Sequence, residues 1–117
     1  MRSDTLIKTF HAPVPVAGYR IVTFAAGANA VAAAGAVTDP LLGVTTSIGS
    51  QDNGRCDVIV AGVSEVRFGA AVGKGDVLTT DASGRAVLAT QVTDRVVGIA
   101  LADAVADDIA PLLITQG

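Results

Sequence analysis

The chain has 117 residues, a net charge of −3 and one cysteine, Cys56. That length corresponds to one domain. The chain is acidic and its basic residues are scattered, which disfavours nucleic-acid binding. A single cysteine excludes an intrachain disulfide. No run approaches the roughly 18 apolar residues of a membrane span, and the first residues lack the apolar segment of a secretory signal.

Half of the residues are hydrophobic, yet only 3% are aromatic. A domain this small has too little interior for all of these side chains, so some of them must remain on the surface. Exposed apolar patches usually mark contact with a partner. The composition therefore favours a protein that assembles with other chains.

Helix is disfavoured because 13 glycines interrupt the chain and Glu65 is the only glutamate. Short apolar runs bounded by turn residues predict strands instead. Residues 28–34 are rich in alanine, but they are too few for a stable helix and are also predicted as a strand. The predicted strands, in chain order, are 5–10, 20–24, 28–34, 41–48, 57–63, 66–68, 76–80, 85–89, 96–102 and 109–115.

The segment before Gly18 is predicted to be an extended N-terminal arm, residues 1–17. Its polar and apolar residues alternate from Thr5 to Phe10, and Pro13 and Pro15 then disfavour a central strand. Such an arm suits pairing with the sheet edge of a neighbouring molecule. A frayed terminus or an ordinary edge strand is the alternative.

An internal repeat is the clearest pattern in the chain. The sequence Thr-Asp-Pro-Leu-Leu-Gly-Val at 38–44 returns 55 residues later as Thr-Asp-Arg-Val-Val-Gly-Ile at 93–99. Residues 30–33 match 86–89 at an offset of 56, and Ile59 matches Ile114 at an offset of 55. The pattern predicts a single β domain over residues 18–117, built from two pseudo-repeats of about 55 residues, at 18–63 and 73–117.

Several predicted strands are apolar on both faces, among them 58–61, 96–99 and 111–114. An antiparallel sheet normally exposes one face to water, so either the sheet closes on itself or a neighbouring chain covers it. The fold class is therefore predicted to be all-β, a small closed or partly open barrel or sandwich.

Candidate catalytic groups are few and isolated. His11 has no second histidine to act with, and Cys56 has no histidine nearby in sequence to activate it. The loop around Lys74 resembles a phosphate loop only in part, because a strand rather than a helix follows. The sequence therefore predicts no enzyme, no cofactor, no metal site and no small-molecule substrate.

Four segments together resemble the capsid cement (decoration) proteins of tailed bacteriophages. They are Gly-Tyr-Arg-Ile-Val at 18–22, Thr-Asp-Pro-Leu-Leu-Gly-Val at 38–44, Cys-Asp-Val-Ile-Val-Ala-Gly-Val at 56–63, and Gly-Lys-Gly-Asp-Val-Leu-Thr at 73–79 continuing to Ser-Gly-Arg-Ala-Val at 83–87. The resemblance implies a homotrimer on the outer surface of the virion head, made in the host cytoplasm. It would bridge and stabilise subunits of the major capsid protein, without nucleic-acid or membrane partners.

The residues expected to contact a partner lie in two places. One is the arm, and the other is the junction between the repeats, where an arginine and an aromatic residue have the composition of an interface anchor. For Phe68 a place in the core is an equal alternative. The predicted contact residues are Leu6, Lys8, Phe10, His11, Arg67 and Phe68.

Two other functions remain alternatives at this stage. Biotinyl and lipoyl carrier domains are also small two-repeat β structures, but they need a lysine at a hairpin tip, and Lys74 is misplaced for that role. A phage tail or carbohydrate-binding module would need exposed aromatic residues, and Tyr19 is the only candidate.

Overall fold

The computed structural model describes residues 6–51, 53–91 and 93–114, and the regular elements in these ranges are all β-strands. The predicted strands are present with ends shifted by a few residues, and the two predicted on either side of Ser64 are one long strand; Thr5 and Thr115 lie outside the described ranges. The strands are β1 Leu6–His11, β2 Ile21–Phe24, β3 Val31–Ala33, β4 Gly43–Ser50, β5 Arg55–Arg67, β6 Val77–Thr80, β7 Ala86–Leu88, β8 Gly98–Ala100 and β9 Ile109–Ile114. No helix in these ranges is long and apolar enough to span a membrane.

All nine strands belong to one antiparallel sheet in which β5 is shared by two halves. Its first part, 55–61, pairs with β1 and β4, and its second part, 62–67, pairs with β9. Gly62 lies at the boundary with a φ of +95°, a conformation that glycine adopts without steric cost. We call β1–β4 with 55–61 the first half, and 62–67 with β6–β9 the second half.

Each half curls until its outer strands nearly meet. In the first half the order β3-β2-β4-β5 is followed by β1, and His11 of β1 forms a parallel bridge with Ala30 beside β3. In the second half β5-β9-β8-β6-β7 returns to Phe68, directly after β5, which bridges Ala86 of β7. The all-β, partly open barrel predicted from the sequence is confirmed.

The apolar interior forms two clusters. The smaller one lies inside the first half and contains Val22, Val31 and Val58, with Phe10 packed against it. The larger one fills the second half and also takes in residues from the first half. Strand β2 is thus buried on both faces, because Ile21 belongs to the larger cluster and its neighbour Val22 to the smaller.

The Thr-Asp motif forms the same turn in both halves. Asp39 Oδ2 accepts from the backbone N–H groups of Gly35 and Ala36, both at 3.1 Å. Asp94 Oδ2, 55 residues later, accepts from Thr90 and Gln91 at 3.1 and 3.2 Å. Asparagine and aspartate stabilise turns in this way because their short side chains reach nearby backbone donors. This likeness supports the two-repeat organisation, which remains a prediction.

Strand pairing matches the residues of the two halves slightly differently from the sequence repeat. Val31 lies opposite Phe24, whereas Ala86 lies opposite Thr80, so Val31 corresponds to Ala86 and not to Val87. The cause is the turn before β3, which is one residue longer than the turn before β7: Ala25 N–H bonds Ala30 O, and Asp81 N–H bonds Arg85 O. Ile59 lies opposite Val44, and Leu113 lies opposite Ile99. By the same criterion, Ile59 therefore corresponds to Leu113.

We predict that Gly43→Ala and Gly98→Ala each destabilise the fold by about 2 kcal/mol or more. A Cβ at either position would collide with a backbone carbonyl on the adjacent strand, that of Ile59 or of Leu113, and a ladder carbonyl has no room to move. Denaturant unfolding would measure the effect. Gly73→Ala is the control, because its Cβ would meet nothing closer than 3.7 Å; equal stability of all three variants would contradict the prediction.

Candidate partner-binding surface

Strand β1 carries four of the predicted contact residues and is part of the sheet. It pairs with β5 from Leu6 opposite Ala61 to His11 opposite Arg55, and residues 1–5 of the predicted arm lie outside the described ranges. Leu6, Lys8 and His11 are exposed, whereas Phe10 is half-buried against the smaller cluster. The edge-strand alternative therefore describes residues 6–11, and three of these side chains are accessible to a partner.

The outward edge of β1 is partly occupied by the chain itself. Asn29 O accepts from His11 N–H at 2.9 Å, and Asn29 Nδ2 reaches Thr9 O at 3.4 Å. By the alternation of an antiparallel ladder, the backbone groups of Ile7 point the same way as those of Thr9. Only the beginning of β1 therefore presents a sheet edge that another chain could extend.

The structure separates the second pair of predicted contact residues. Phe68 has 0% exposure and packs in the larger cluster, so its side chain is part of the core and not a surface anchor. Arg67 is half-buried at the end of β5, where its Nη1 donates to Asp107 O at 3.0 Å. Arg67 and Leu6–His11 lie along different stretches of β5 and do not form one site.

Three arginines that are far apart in sequence come together at the end of the second half. Arg85 Nε donates to Asp81 Oδ2 at 2.9 Å, and its Nη1 to Asp107 Oδ1 at 3.2 Å. Arg67 binds the backbone oxygen of the same Asp107, whose φ is +70°. Arg20 completes the arginine cluster (Arg20, Arg67 and Arg85), and its Nη1 is buried without a hydrogen-bond partner among the described residues.

The arginine cluster places like charges close together. Partial burial lowers the pKa of Arg20, and the charges of Arg67 and Arg85 lower it further, against the opposing effect of Asp81 and Asp107. Both aspartates form their ion pairs with Arg85. No local sequence pattern indicates this cluster, because Arg20, Arg67 and Arg85 lie on different turns and strands.

A row of apolar side chains crosses the outer surface of the second half. Val63 lies opposite Leu113, Leu113 opposite Ile99, and Ile99 opposite Val77, so the four residues are neighbours on β5, β9, β8 and β6. Val63, Leu113 and Val77 are exposed and Ile99 is half-buried. Because they lie in the second half, we call these four residues the second row. In the sequence, this row was indicated by the predicted strands 96–99 and 111–114, which are apolar on both faces.

The described residues line two open clefts. A groove of about 420 Å³ is lined by His11, Pro13, Ser50 and Asn53, among others, and a cleft of about 310 Å³ by Tyr19 and neighbours. Among residues 6–51, 53–91 and 93–114, no group of three histidine, cysteine or acidic side chains is placed to hold a metal ion.

One solved structure with the same fold is the N base of the head fiber gp8.5 of bacteriophage phi29. It superposes with a TM-score of 0.72, at 22% sequence identity, over 96% of this chain and 95% of that one. No protein-family model matches the sequence, and no curated protein matches it. The likeness covers nearly the whole of both chains, and at this identity it establishes the fold.

We predict that Arg20→Met leaves the protein as stable or makes it more stable, by up to about 1 kcal/mol. The lowered pKa of Arg20 means that the folded state disfavours its charge, and methionine retains most of the side-chain volume. Arg85→Met is the comparison and should destabilise, because it breaks ion pairs with Asp81 and Asp107. Thermal unfolding measures both, and a clear loss of stability in Arg20→Met would contradict this account.

We also predict that Cys56 resists alkylation in the folded protein. Its thiol is buried, and burial, with a smaller contribution from Asp57, raises its pKa above the ordinary value of 9.0. As pH rises, the thiol loses its proton at a lower pH in the unfolded chain than in the folded protein. The free energy of unfolding should therefore fall above about pH 9. Iodoacetamide labelling followed by mass spectrometry is the measurement, and labelling of the native protein at pH 8 as fast as in denaturant would refute it.

Proposed function

We propose that the protein is a structural accessory protein of a tailed-phage head. It binds the outer surface of the shell, where it bridges and stabilises subunits of the major capsid protein, and it acts as a homotrimer. It needs no catalytic residue and no cofactor, and it has neither a nucleic-acid nor a membrane partner. It is made in the host cytoplasm and resides on the virion.

The observation that carries this proposal is the fold likeness over nearly the full chain to the N base of a phage head fiber. The order of the four sequence segments resembles head cement proteins independently of that superposition. Two unrelated comparisons, one of sequence order and one of three-dimensional fold, therefore support attachment to a phage head.

The distribution of exposed residues supports a role in assembly. The described part of the chain exposes large apolar side chains in several places, including Leu6, Ile7 and Phe24. Exposed apolar patches of this kind mark protein interaction sites. We propose that the capsid subunits contact the protein at two separate places, at Leu6, Lys8 and His11 on β1 and at Arg67 at the end of β5.

The arginine cluster suits that contact. Arg67 is half-buried, and its Nη1 donates to a backbone oxygen in place of a carboxylate. Guanidinium groups bind carboxylates with two parallel hydrogen bonds, which gives both strength and orientation. An acidic side chain of the shell would complete this arrangement.

The test compares phage heads with and without the protein. We expect the protein in purified heads, and we expect heads that lack it to release DNA at a lower temperature and after milder osmotic shock. DNA release can be followed by the fluorescence of an intercalating dye during heating. Absence of the protein from purified heads, together with unchanged thermal release, would refute the proposal.

The contact residues are tested in the same assay. Leu6→Asp should reduce the amount of protein that cosediments with heads lacking it, because a charge on the apolar edge disfavours burial. Leu88→Asp is the matched control: the same substitution at a leucine of similar exposure, 43% against 52%. Equal loss of binding in both variants would show that residues 6–11 are not the contact.

A further inference from the structure

The two halves of the sheet present equivalent apolar rows with different surroundings. The second row, Val63, Leu113, Ile99 and Val77, has a counterpart in the first half that runs across β1, β5, β4 and β2 in the same register. We call that counterpart the first row; its residues are Ile7, Ile59, Val44 and Ile21.

Three of the four residues of the first row are covered by the second half of the same chain, whereas Ile7, at the end of the row, is exposed. Ile21 and Val44 are fully buried, and both belong to the cluster that contains Phe68, Leu78 and Leu112, with Ile59 packed against it. The second row has no such cover within the described residues, although each of its members is apolar.

The turn between β6 and β7, which is part of the second half, lies at one end of this contact. Gly84 O accepts from the N–H of Ile21 at 2.7 Å, and a Cβ at Gly84 would lie 2.9 Å from Ile21 O. This turn is therefore seated on the beginning of β2, at one end of the first row. The turn thus contacts the backbone of Ile21, while residues of the larger cluster cover the side chain of Ile21.

The first half has an equivalent turn, and it is exposed. It joins β2 and β3, is closed by a bond from Ala25 N–H to Ala30 O at 2.9 Å, and matches the bond from Asp81 N–H to Arg85 O. Residues 26–28 are Ala-Gly-Ala, exposed and uncharged, and they follow Phe24, which is 59% exposed. An exposed phenylalanine beside an uncharged turn has the composition of an interface rather than of a solvated loop.

We propose that the β2–β3 turn of a second copy of this chain, led by Phe24, docks on the second row. The contact would repeat between molecules the one that the β6–β7 turn makes with the first row inside each molecule. The site and the turn are different surfaces, so the interface is heterologous, and successive copies form a closed ring if the rotation between them closes. The inference rests on the self-association in the proposed function and is independent of attachment to a head.

The test uses one charged variant on each side of the interface. Leu113→Glu places a carboxylate in the second row, and Phe24→Glu places one on the docking turn. Each should raise the concentration needed for self-association, measured by analytical ultracentrifugation, at least about tenfold, because an unpaired charge would be buried. Leu88→Glu is the control, since Leu88 has 43% exposure against 37% for Leu113 but lies opposite Leu78 on the other face of the sheet.

Mixing the two variants gives the decisive result. The Leu113→Glu copy retains the docking turn, and the Phe24→Glu copy retains the second row, so the mixture should form one-to-one dimers that grow no further. Loss of association in each variant alone, followed by dimers on mixing, supports the inference. The amide spectrum of each variant by NMR shows that it is folded.

Three outcomes would overturn the inference. They are a wild-type protein that stays monomeric up to about 1 mM, oligomers that survive both substitutions, and variants whose mixture stays monomeric. The last indicates an interface in which like surfaces meet. None of the three removes the protein from purified heads, so failure of this inference is distinguishable from failure of the proposed head attachment.

Discussion

The structure depends on β5, the one strand that belongs to both halves. Its first part bonds β1 and β4 and its second part bonds β9, so the hydrogen-bond ladder is continuous from β3 to β7. Val58 faces the smaller cluster, while Ile59 packs against the larger one. Because adjacent residues of this strand serve different cores, a register slip of one residue would exchange their environments.

Sharing one strand makes the two halves unequal. Residues of the second half cover part of the first half, since Ile21 and Val44 are buried in the larger cluster. The equivalent residues of the second half have no such cover within the described residues: Val77 is exposed and Ile99 is half-buried. The apolar excess noted in the composition therefore has a definite location.

Much of the fold followed from local sequence. The strands bounded by turn residues were found, because glycine, asparagine and aspartate mark chain reversals through their own backbone preferences. The end of β5 was placed less well: residues 64 and 65 read as a break, yet the ladder to β9 runs through Ser64 opposite Leu112 and Glu65 opposite Pro111. Pairing with β9 keeps β5 continuous at the two polar residues where the local sequence suggested that the strand breaks.

The candidate surface was less predictable than the fold. Phe68 satisfied the criteria for an anchor and for a core residue equally, and only the curling of the second half, which brings it against Ala86, decided between them. The arginine cluster forms because the end of β5 meets the segments before β2 and before β7 in space, which no local pattern encodes. The second row lay within strands already recognised as apolar on both faces, but choosing between barrel closure and a neighbouring chain required the register.

The register separates the two explanations for two-faced apolarity: cover by the same chain is observed in the first half, and cover by a neighbouring chain is what we propose for the second. In the first half, closure and the second half of the same chain cover β2 on both faces, whereas Leu6 and Ile7 of β1 are exposed. In the second half the inner face is closed, with Leu112 fully buried, while Leu113 beside it faces outward. A monomer would keep that outer face in water at a cost that grows with its apolar area. Selection for solubility alone would place polar residues there, as on the outward face of most antiparallel sheets; an apolar residue at each of the four positions is the pattern expected when another chain covers them.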